Sequence, residues 1–301
     1  MIQIEWLNNN SIKTDRLKKP KKITGTRLAA ILGKNPWNTP FAVWADMTHV
    51  YEEPFIGTKY TNAGNVIEPK QAEYVKQLGF SNIKSPIDIY GENYFEQTYG
   101  DFFPNDQIFG GMWDYINVVD DVTQAVFEMK TTKNVSAWNN GPPEYYKLQS
   151  ALYAYLLRVD TIYIVVSFLQ EKDYDTPELF IPTIENTRIY KFSLHDDFFN
   201  FEGNCIIPAI NWYQKYIATN ISPQYTSKDS KIINSLKSIN IRNHLLNKYP
   251  NAILLDAMFD SAIIGYSQTG NIIYSGKKLQ NLHCDIPIGD NPIVLYEIEM
   301  E

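Results

Sequence analysis

Thiols and imidazoles are scarce in this chain: two cysteines and four histidines in 301 residues. Cys205 and Cys284 cannot build a disulfide framework, a four-cysteine zinc site or a four-cysteine iron–sulfur cluster. His49, His195, His244 and His283 never fall at ligand spacing. No run of about 18 consecutive apolar residues occurs, which excludes a membrane span and a membrane partner. Met1–Glu5 lacks a basic stretch leading into an apolar one, so no secretory signal is expected. These absences together lead to the expectation of a reduced, cytoplasmic, soluble protein. What is present is core material: 44% hydrophobic and 14% aromatic residues exclude a disordered chain. The length implies one large domain or two small ones.

The net charge of −7 argues weakly against a nucleic-acid partner, but its distribution is uneven. Residues 13–27 carry Lys13, Arg16, Lys18, Lys19, Lys21, Lys22 and Arg27 against Asp15 alone, a balance of +6 that leaves −13 for the rest. A basic segment on an acidic protein can meet phosphate locally. The plainer expectation for such a run is a solvated, flexible N-terminal arm.

Helix signals begin at Thr24-Gly25, ahead of Arg27–Leu32, and recur at Thr39-Pro40. A third helix is expected over about 65–78, with Pro69 near its start. Residues 80–122 read as strand-like, ending in Met112–Val119, which pairs as a hairpin with Thr123–Thr131 across Asp120-Asp121. Pro143 opens a helix to about Arg158, and Thr161–Leu169 is β-branched. Strand, helix and strand in that order predict a crossover with parallel strands. A further strand within 171–189 and a long helix over Asp197–Thr219, kinked at Pro208, complete residues 1–222. Residues 223–301 read as a separate small α+β appendage, with a helix near 230–247, a hairpin from Ser261–Tyr266 to Asn271–Ser275 and a last strand near Ile293–Glu299.

The informative constellation is Asp114 with Glu128-Met129-Lys130. Period-two alternation puts Glu128 and Lys130 on one face of their strand. A hairpin turning about Asp121 pairs positions that sum to 242, so Asp114 lies opposite Glu128. Two facing carboxylates repel, and a divalent cation between them removes the cost. The Met129 carbonyl offers a third oxygen, a donor set suited to Mg²⁺ or Mn²⁺. Lys130 beside it can hold and help deprotonate an attacking water and stabilise charge on a phosphate. Taken alone, Glu-x-Lys is a common pattern on a solvated strand face.

Asp114, thirteen residues, then Glu128-x-Lys130 resembles the PD-(D/E)XK nuclease core, and more narrowly the λ-exonuclease and YqaJ-like phage recombination nucleases. Four segments in order carry this: Ile23–Thr26 with Leu28–Gly33 and Pro36-Trp37; Gly64–Pro69; Gly110–Asp114 with Phe127–Lys130; and Tyr145-Tyr146-x-x-Gln149-x-x-x-Tyr153. They span roughly residues 20–170. Trp113 stands where the family has proline. The resemblance implies an α/β fold: a restriction-endonuclease-like core with a mixed central sheet flanked by helices. It implies a catalytic set of Asp114, Glu128, Lys130, Glu68 and Gln149. Asp114, Glu128, the Met129 carbonyl and Glu68 would hold Mg²⁺ or Mn²⁺. Glu68 could otherwise be an ordinary carboxylate near a helix start, and Tyr153 is read as packing. Lys19 and Thr26 match places where relatives bind a 5′-phosphate, Arg27 would be a further DNA-binding residue, and Lys133 would touch the same strand.

The activity so implied is metal-dependent hydrolysis of DNA, 5′→3′ from ends of linear duplex, leaving 3′ single strands for recombination. Implied partners are double-stranded DNA ends, a single-strand annealing recombinase and further copies of the chain in a ring. The setting would be the cytoplasm of a host cell carrying phage or prophage. A restriction-type or repair endonuclease, or a non-catalytic DNA-binding or inhibitory protein on the same fold, stand as alternatives.

Overall fold

The computed structural model describes residues 3–15, 18–53 and 56–237, together with three strands between 255 and 275. The chain divides into two compact units, Lys18–Gln224 and a second built from Met1–Leu17 with Tyr225–Glu301.

The second unit starts with a hairpin, β1 (Ile4–Leu7) and β2 (Ser11–Thr14). Asn8-Asn9-Asn10 turns it, Asn10 taking a left-handed φ of 56° that asparagine tolerates better than most residues. Residues 230–237 are helical. Further along, Leu255–Met258, Ala262–Tyr266 and Ile272–Ser275 form a three-stranded antiparallel sheet. The turn at Thr269-Gly270, residues 238–247 of the expected helix and the last strand near 293–299 lie outside the described residues.

The larger unit is a mixed α/β fold. Its helices begin with α1 (Gly25–Ile31), α2 (Pro40–Met47) and α3 (Lys59–Gln77). Five strands follow in spatial order: β3 (Ile83–Lys84), β4 (Tyr115–Val119), β5 (Val122–Thr132), β6 (Thr161–Phe168) and β7 (Thr187–Ser193). Only β5 and β6 are parallel; α6 (Glu144–Leu157) joins them as the crossover. One sheet face packs Ala125, Phe127, Met129 and Val165 against Ala72 and Val75 of α3. Helix α6 packs against β5, β6 and α1. Among the described residues no helix is long and apolar enough to cross a membrane.

Two expectations need correction. Residues 80–122 are not mainly strand: Ser85 caps α4 (Pro86–Tyr90), α5 (Tyr94–Thr98) follows, and β4 starts only at Tyr115. Ser85 and Asp88 form a reciprocal cap with Pro86 at the first helical position, which outweighs the β-branched Ile87 and Ile89. The helix placed over Asp197–Thr219 begins instead after Asn200. It mixes π turns at Glu202–Ile206 and Tyr213–Ile217 with α-helix at Ile207–Trp212, and Pro208 sits where the first π turn ends.

The β4–β5 hairpin turns on Asp120 and Asp121, with φ of 49° and 60°, a pair of left-handed residues that matches the strand twist. Its register has two parts. Near the turn Val119 faces Val122 and Val118 faces Thr123; beyond a bulge at Gln124, Asn117 faces Ala125 and Tyr115 faces Phe127. The expected pairing of positions summing to 242 therefore holds on the far side of the bulge.

Candidate active site

Pairing of β4 with β5 stops at Tyr115–Phe127, and from Glu128 onward β5 keeps only β6 beside it. The N–H and C=O of Met129 point to the vacated side. Asp114 Oδ2 accepts the Met129 N–H at 2.7 Å, so the first carboxylate is hooked onto the strand that carries the second. Met129 C=O accepts from Lys130 Nζ at 3.0 Å.

Glu128 has no exposed side-chain surface. Its Oε1 accepts from Lys130 Nζ and from Gln149 Nε2 of α6, while Oε2 is buried without a hydrogen-bond partner. Lys130 Nζ also lies 3.7 Å from Asp114 Oδ2. Burial pushes the Glu128 carboxyl up to about 8, with Asp114 adding to the rise and Lys130 opposing it. Glu68 on α3 is half-buried and is likewise raised to about 8 by burial and by Asp114. Burial works against the Lys130 charge, but Glu128 and Asp114 outweigh it and hold the ammonium above the ordinary lysine value.

A cation suits this donor set. Among the described residues no three carboxylate, imidazole or thiolate groups stand at metal-holding spacing. Mg²⁺, however, needs only one or two carboxylates and retains waters. Asp114, Glu128 with its orphaned oxygen, and the Met129 carbonyl supply such a set, and Lys130 is their internal counter-cation.

The surroundings fix these groups from several directions. Gly25 of α1 packs so closely on α6 that a Cβ there would lie 2.6 Å from Gln149 Cγ. The segment before α1 adds itself to the loop before β4: Ile23 N–H donates to Ile108 O at 2.7 Å and Gly110 N–H to Ile23 O at 3.0 Å. Asp101 Oδ1 accepts from Gly111 N–H at 3.0 Å, and its other oxygen holds Lys22 Nζ at 2.6 Å. Trp113, buried against Phe102 with ring centroids 4.8 Å apart, anchors the residue before Asp114. Tyr153 is buried and stacked near Phe103, in keeping with packing.

Asp114, Glu128, Met129, Lys130 and Gln149 are thus brought together, with Glu68 near enough to be raised by Asp114. The expected nucleic-acid contacts are more dispersed. Lys19 and Thr26 are exposed. Arg27 is engaged, with Nη2 2.8 Å from Asp46 Oδ2 and Nη1 donating to Lys22 O at 2.6 Å. Lys133 pairs with Glu171 at 3.2 Å. The expectation of a flexible basic arm is corrected. Lys21 pairs with Asp46 and Glu52 at 2.7 and 2.8 Å, Lys22 with Asp101, and Arg27 with Asp46, so carboxylates remote in sequence hold residues 21–27 against the fold, while Lys18 and Lys19 stay exposed.

Two neighbours were not anticipated. Tyr146 presents its ring 5.3 Å from Lys130 Nζ. Gln71, fully buried, donates to Lys130 O at 2.7 Å and to Ser167 Oγ at 3.0 Å. Helical spacing was the available signal: Gln71 follows Glu68 by three, and Tyr146 precedes Gln149 by three.

Residues 15–156 match the family described as the YqaJ-like viral recombinase domain. The chain is 28% identical over 250 residues to uncharacterized protein MG373 of Mycoplasma genitalium, covering 69% of this chain and 85% of that protein. Its homolog in Mycoplasma pneumoniae is 29% identical over 252 residues, with the same coverage. Among solved structures, a phage-related exonuclease from Haemophilus somnus aligns with a TM-score of 0.44 at 15% identity, covering 66% of this chain and 96% of that one. The alkaline exonuclease LHK-Exo from Laribacter hongkongensis aligns with a TM-score of 0.44 at 12% identity, covering 76% and 96%.

Proposed function

We propose that the chain, whose residues 15–156 match the YqaJ-like viral recombinase domain, is a divalent-metal-dependent deoxyribonuclease. It degrades linear duplex DNA from 5′ ends and leaves 3′ single strands for recombination. The observation that carries the reading is Asp114 hooked to Met129 N–H beside the buried pair Glu128–Lys130. Asp114 and Lys130 keep part of their side chains exposed, 22% and 17%, and offer the approach for a phosphodiester to the buried Glu128.

Asp114, Glu128 and the Met129 carbonyl would hold Mg²⁺ or Mn²⁺, which when bound would supply charge stabilisation for the phosphate and a more acidic water. The chain's own residues do the rest. Lys130, kept charged by its two carboxylates, donates a hydrogen bond to the attacking water or to a phosphate oxygen; it accepts a proton only after losing one. Gln149, fixed on Glu128 and wedged by Gly25, orients the nucleophile or the scissile strand. Glu68 aligns water at the rim. Lys19, Thr26 and the amides at the start of α1 receive the terminal 5′-phosphate, whose extra charge strengthens each hydrogen bond. An annealing recombinase and a ring of further copies are the partners this reading implies.

The test is end-labelled linear duplex and closed circular duplex, each incubated with Mg²⁺, Ca²⁺ or excess chelator. The expected result is stepwise loss of the linear substrate with Mg²⁺ alone and an intact circle. Cleavage of the circle turns the reading to an endonuclease, and full activity in chelator removes the metal site.

A further inference from the structure

Away from Asp114 and Glu128, four exposed charged side chains meet at one point. Lys59, the first residue of α3, places Nζ 2.7 Å from Glu171 Oε1 and 3.1 Å from Asp175 Oδ1. Lys133, just past the end of β5, places Nζ 3.2 Å from Glu171 Oε2. The two ammoniums thus hold opposite oxygens of one carboxylate. Tyr60 closes one side, its ring 5.3 Å from Lys133 Nζ and 5.8 Å from Lys59 Nζ. Tyr174 stands edge-on to Tyr60 at 4.8 Å.

We propose that Lys59, Lys133 and Tyr60 form a subsite for a backbone phosphodiester of the DNA substrate, and that Glu171 occupies it as an internal stand-in until DNA displaces it. The inference deepens the nuclease reading and rests on it. A carboxylate and a phosphodiester each present two anionic oxygens on one centre, so cations arranged around Glu171 are also arranged for a phosphate. Placement supports this. β5 and β6 run parallel, Lys133 follows the end of one and Glu171 the end of the other. Ligands of α/β sheets gather outside the carboxyl ends of such strands. Lys133 is three residues beyond Lys130, at most about 10 Å along extended chain, or roughly three base-pair rises. The phosphate held is therefore a few nucleotides from the scissile bond.

Exchange is feasible because the cluster is wet. The side chains of Glu171 and Lys133 are 55% and 54% exposed, and exposed ion pairs contribute little to stability. A polyanion that brings several phosphates at once competes well against one weakly held carboxylate. In the absence of DNA, Glu171 and Asp175 neutralise two lysines that would otherwise attract any anion.

The experiment is equilibrium binding of a fluorescent linear duplex to the full chain in Ca²⁺, at two salt concentrations, for wild type, Glu171→Gln, Lys59→Gln, Lys133→Gln and Glu171→Gln with Lys133→Gln. Removing the stand-in charge should tighten binding and steepen the salt dependence. Each phosphate contact accounts for roughly a 3-fold change in affinity between about 50 and 200 mM salt. Either lysine substitution should weaken binding and lower the salt slope by about one. The loss from Lys133→Gln should be larger in the Glu171→Gln background, where nothing masks the lysine. Thermal melts and Mg²⁺-dependent digestion of the duplex report folding and activity of every variant. If Glu171→Gln folds yet binds no tighter than wild type, or the lysine variants keep the wild-type slope, the subsite is overturned while the nuclease reading stands. If wild type neither binds nor degrades duplex, both fall.

Discussion

Two knots of lysine and carboxylate stand beside one another at β5, made of the same groups and differing in access to water. In the first, Glu128 has 0% of its side chain exposed and is paired with Lys130; in the second, Glu171 has 55% exposed and is paired with Lys59 and Lys133. The carboxyl shifts have opposite sign. Lys59 and Lys133 pull the Glu171 carboxyl below its ordinary value, whereas burial drives that of Glu128 up to about 8 despite Lys130. An ion pair is therefore no guarantee of an easily charged carboxylate; the solvent it has lost decides. A buried, reluctant carboxylate with an unused oxygen is well placed to gain from a cation. An exposed, contented one is well placed to let its lysines go.

The largest expected effect separates the two lysines. Lys130→Met should lower the rate of nucleotide release from linear duplex by at least about a thousandfold, the scale of losing a charged donor at a reacting phosphate. Lys133→Met should cost less than about tenfold. Comparable losses in both would erase the distinction, and near-wild-type activity in Lys130→Met would remove the proposed function.

The second prediction concerns pH. A carboxyl at about 8 in the folded chain and near 4.5 unfolded binds more protons folded, so stability falls as pH rises between those values. Melting temperature in chelator should drop from pH 5.5 to 8.5, and Mg²⁺ or Mn²⁺ should restore more of it at the higher pH. Glu128→Gln should flatten this slope. Glu171→Gln should leave it unchanged, because a lowered carboxyl contributes above its unfolded value and loses that contribution only as pH falls through its folded one. A slope that survives Glu128→Gln would show that the buried knot is not its source.

Gly25→Ala tests how tightly the buried knot is held. The added Cβ meets Gln149 Cγ at 2.6 Å and Cα at 2.9 Å, so α1 must shift from α6. A cost of about 1–3 kcal/mol in chemical denaturation is expected, with reduced digestion as Gln149 moves off Glu128. Unchanged stability would mean the helices are less close than described. The smallest effect belongs to Lys19→Ala, a few-fold loss on 5′-phosphorylated duplex and a narrower advantage over 5′-hydroxyl duplex. Equal loss on both ends would make Lys19 a general backbone contact.

Much of the buried knot was legible because two periodicities define it. Alternation put Glu128 and Lys130 on one face, and the hairpin count brought Asp114 opposite Glu128. Legibility failed where local chemistry overrides pattern. The isoleucines of 83–89 alternate like a strand, yet the Ser85 cap starts a helix there. The basic segment looked solvated because Asp46, Glu52 and Asp101, which hold it, are remote in sequence. The β1–β2 hairpin was not anticipated, although the three asparagines between Leu7 and Ser11 are turn-forming residues. Of the exposed knot only Lys133 was legible, as an expected DNA contact; its meeting with Lys59 and Glu171 was not, because the three come from separated segments with no shared motif.

The single extra residue in the β4–β5 hairpin acts like a reading frame. With Gln124 bulged out of the ladder, Asp114 shares a sheet face with Glu128; were Gln124 paired instead, with the turn unchanged, the register near the turn would run on and put Asp114 opposite Phe127, on the side that packs against α3. The pairing therefore survives deletion of Gln124, which joins Val118–Thr123 directly to Asn117–Ala125, and fails when the bulge is absorbed into the ladder. Lengthening the ribbon by a facing pair beyond Val119 and Val122 leaves the chemistry in register, whereas pairing Gln124 into the ladder silences it without touching any group that performs it.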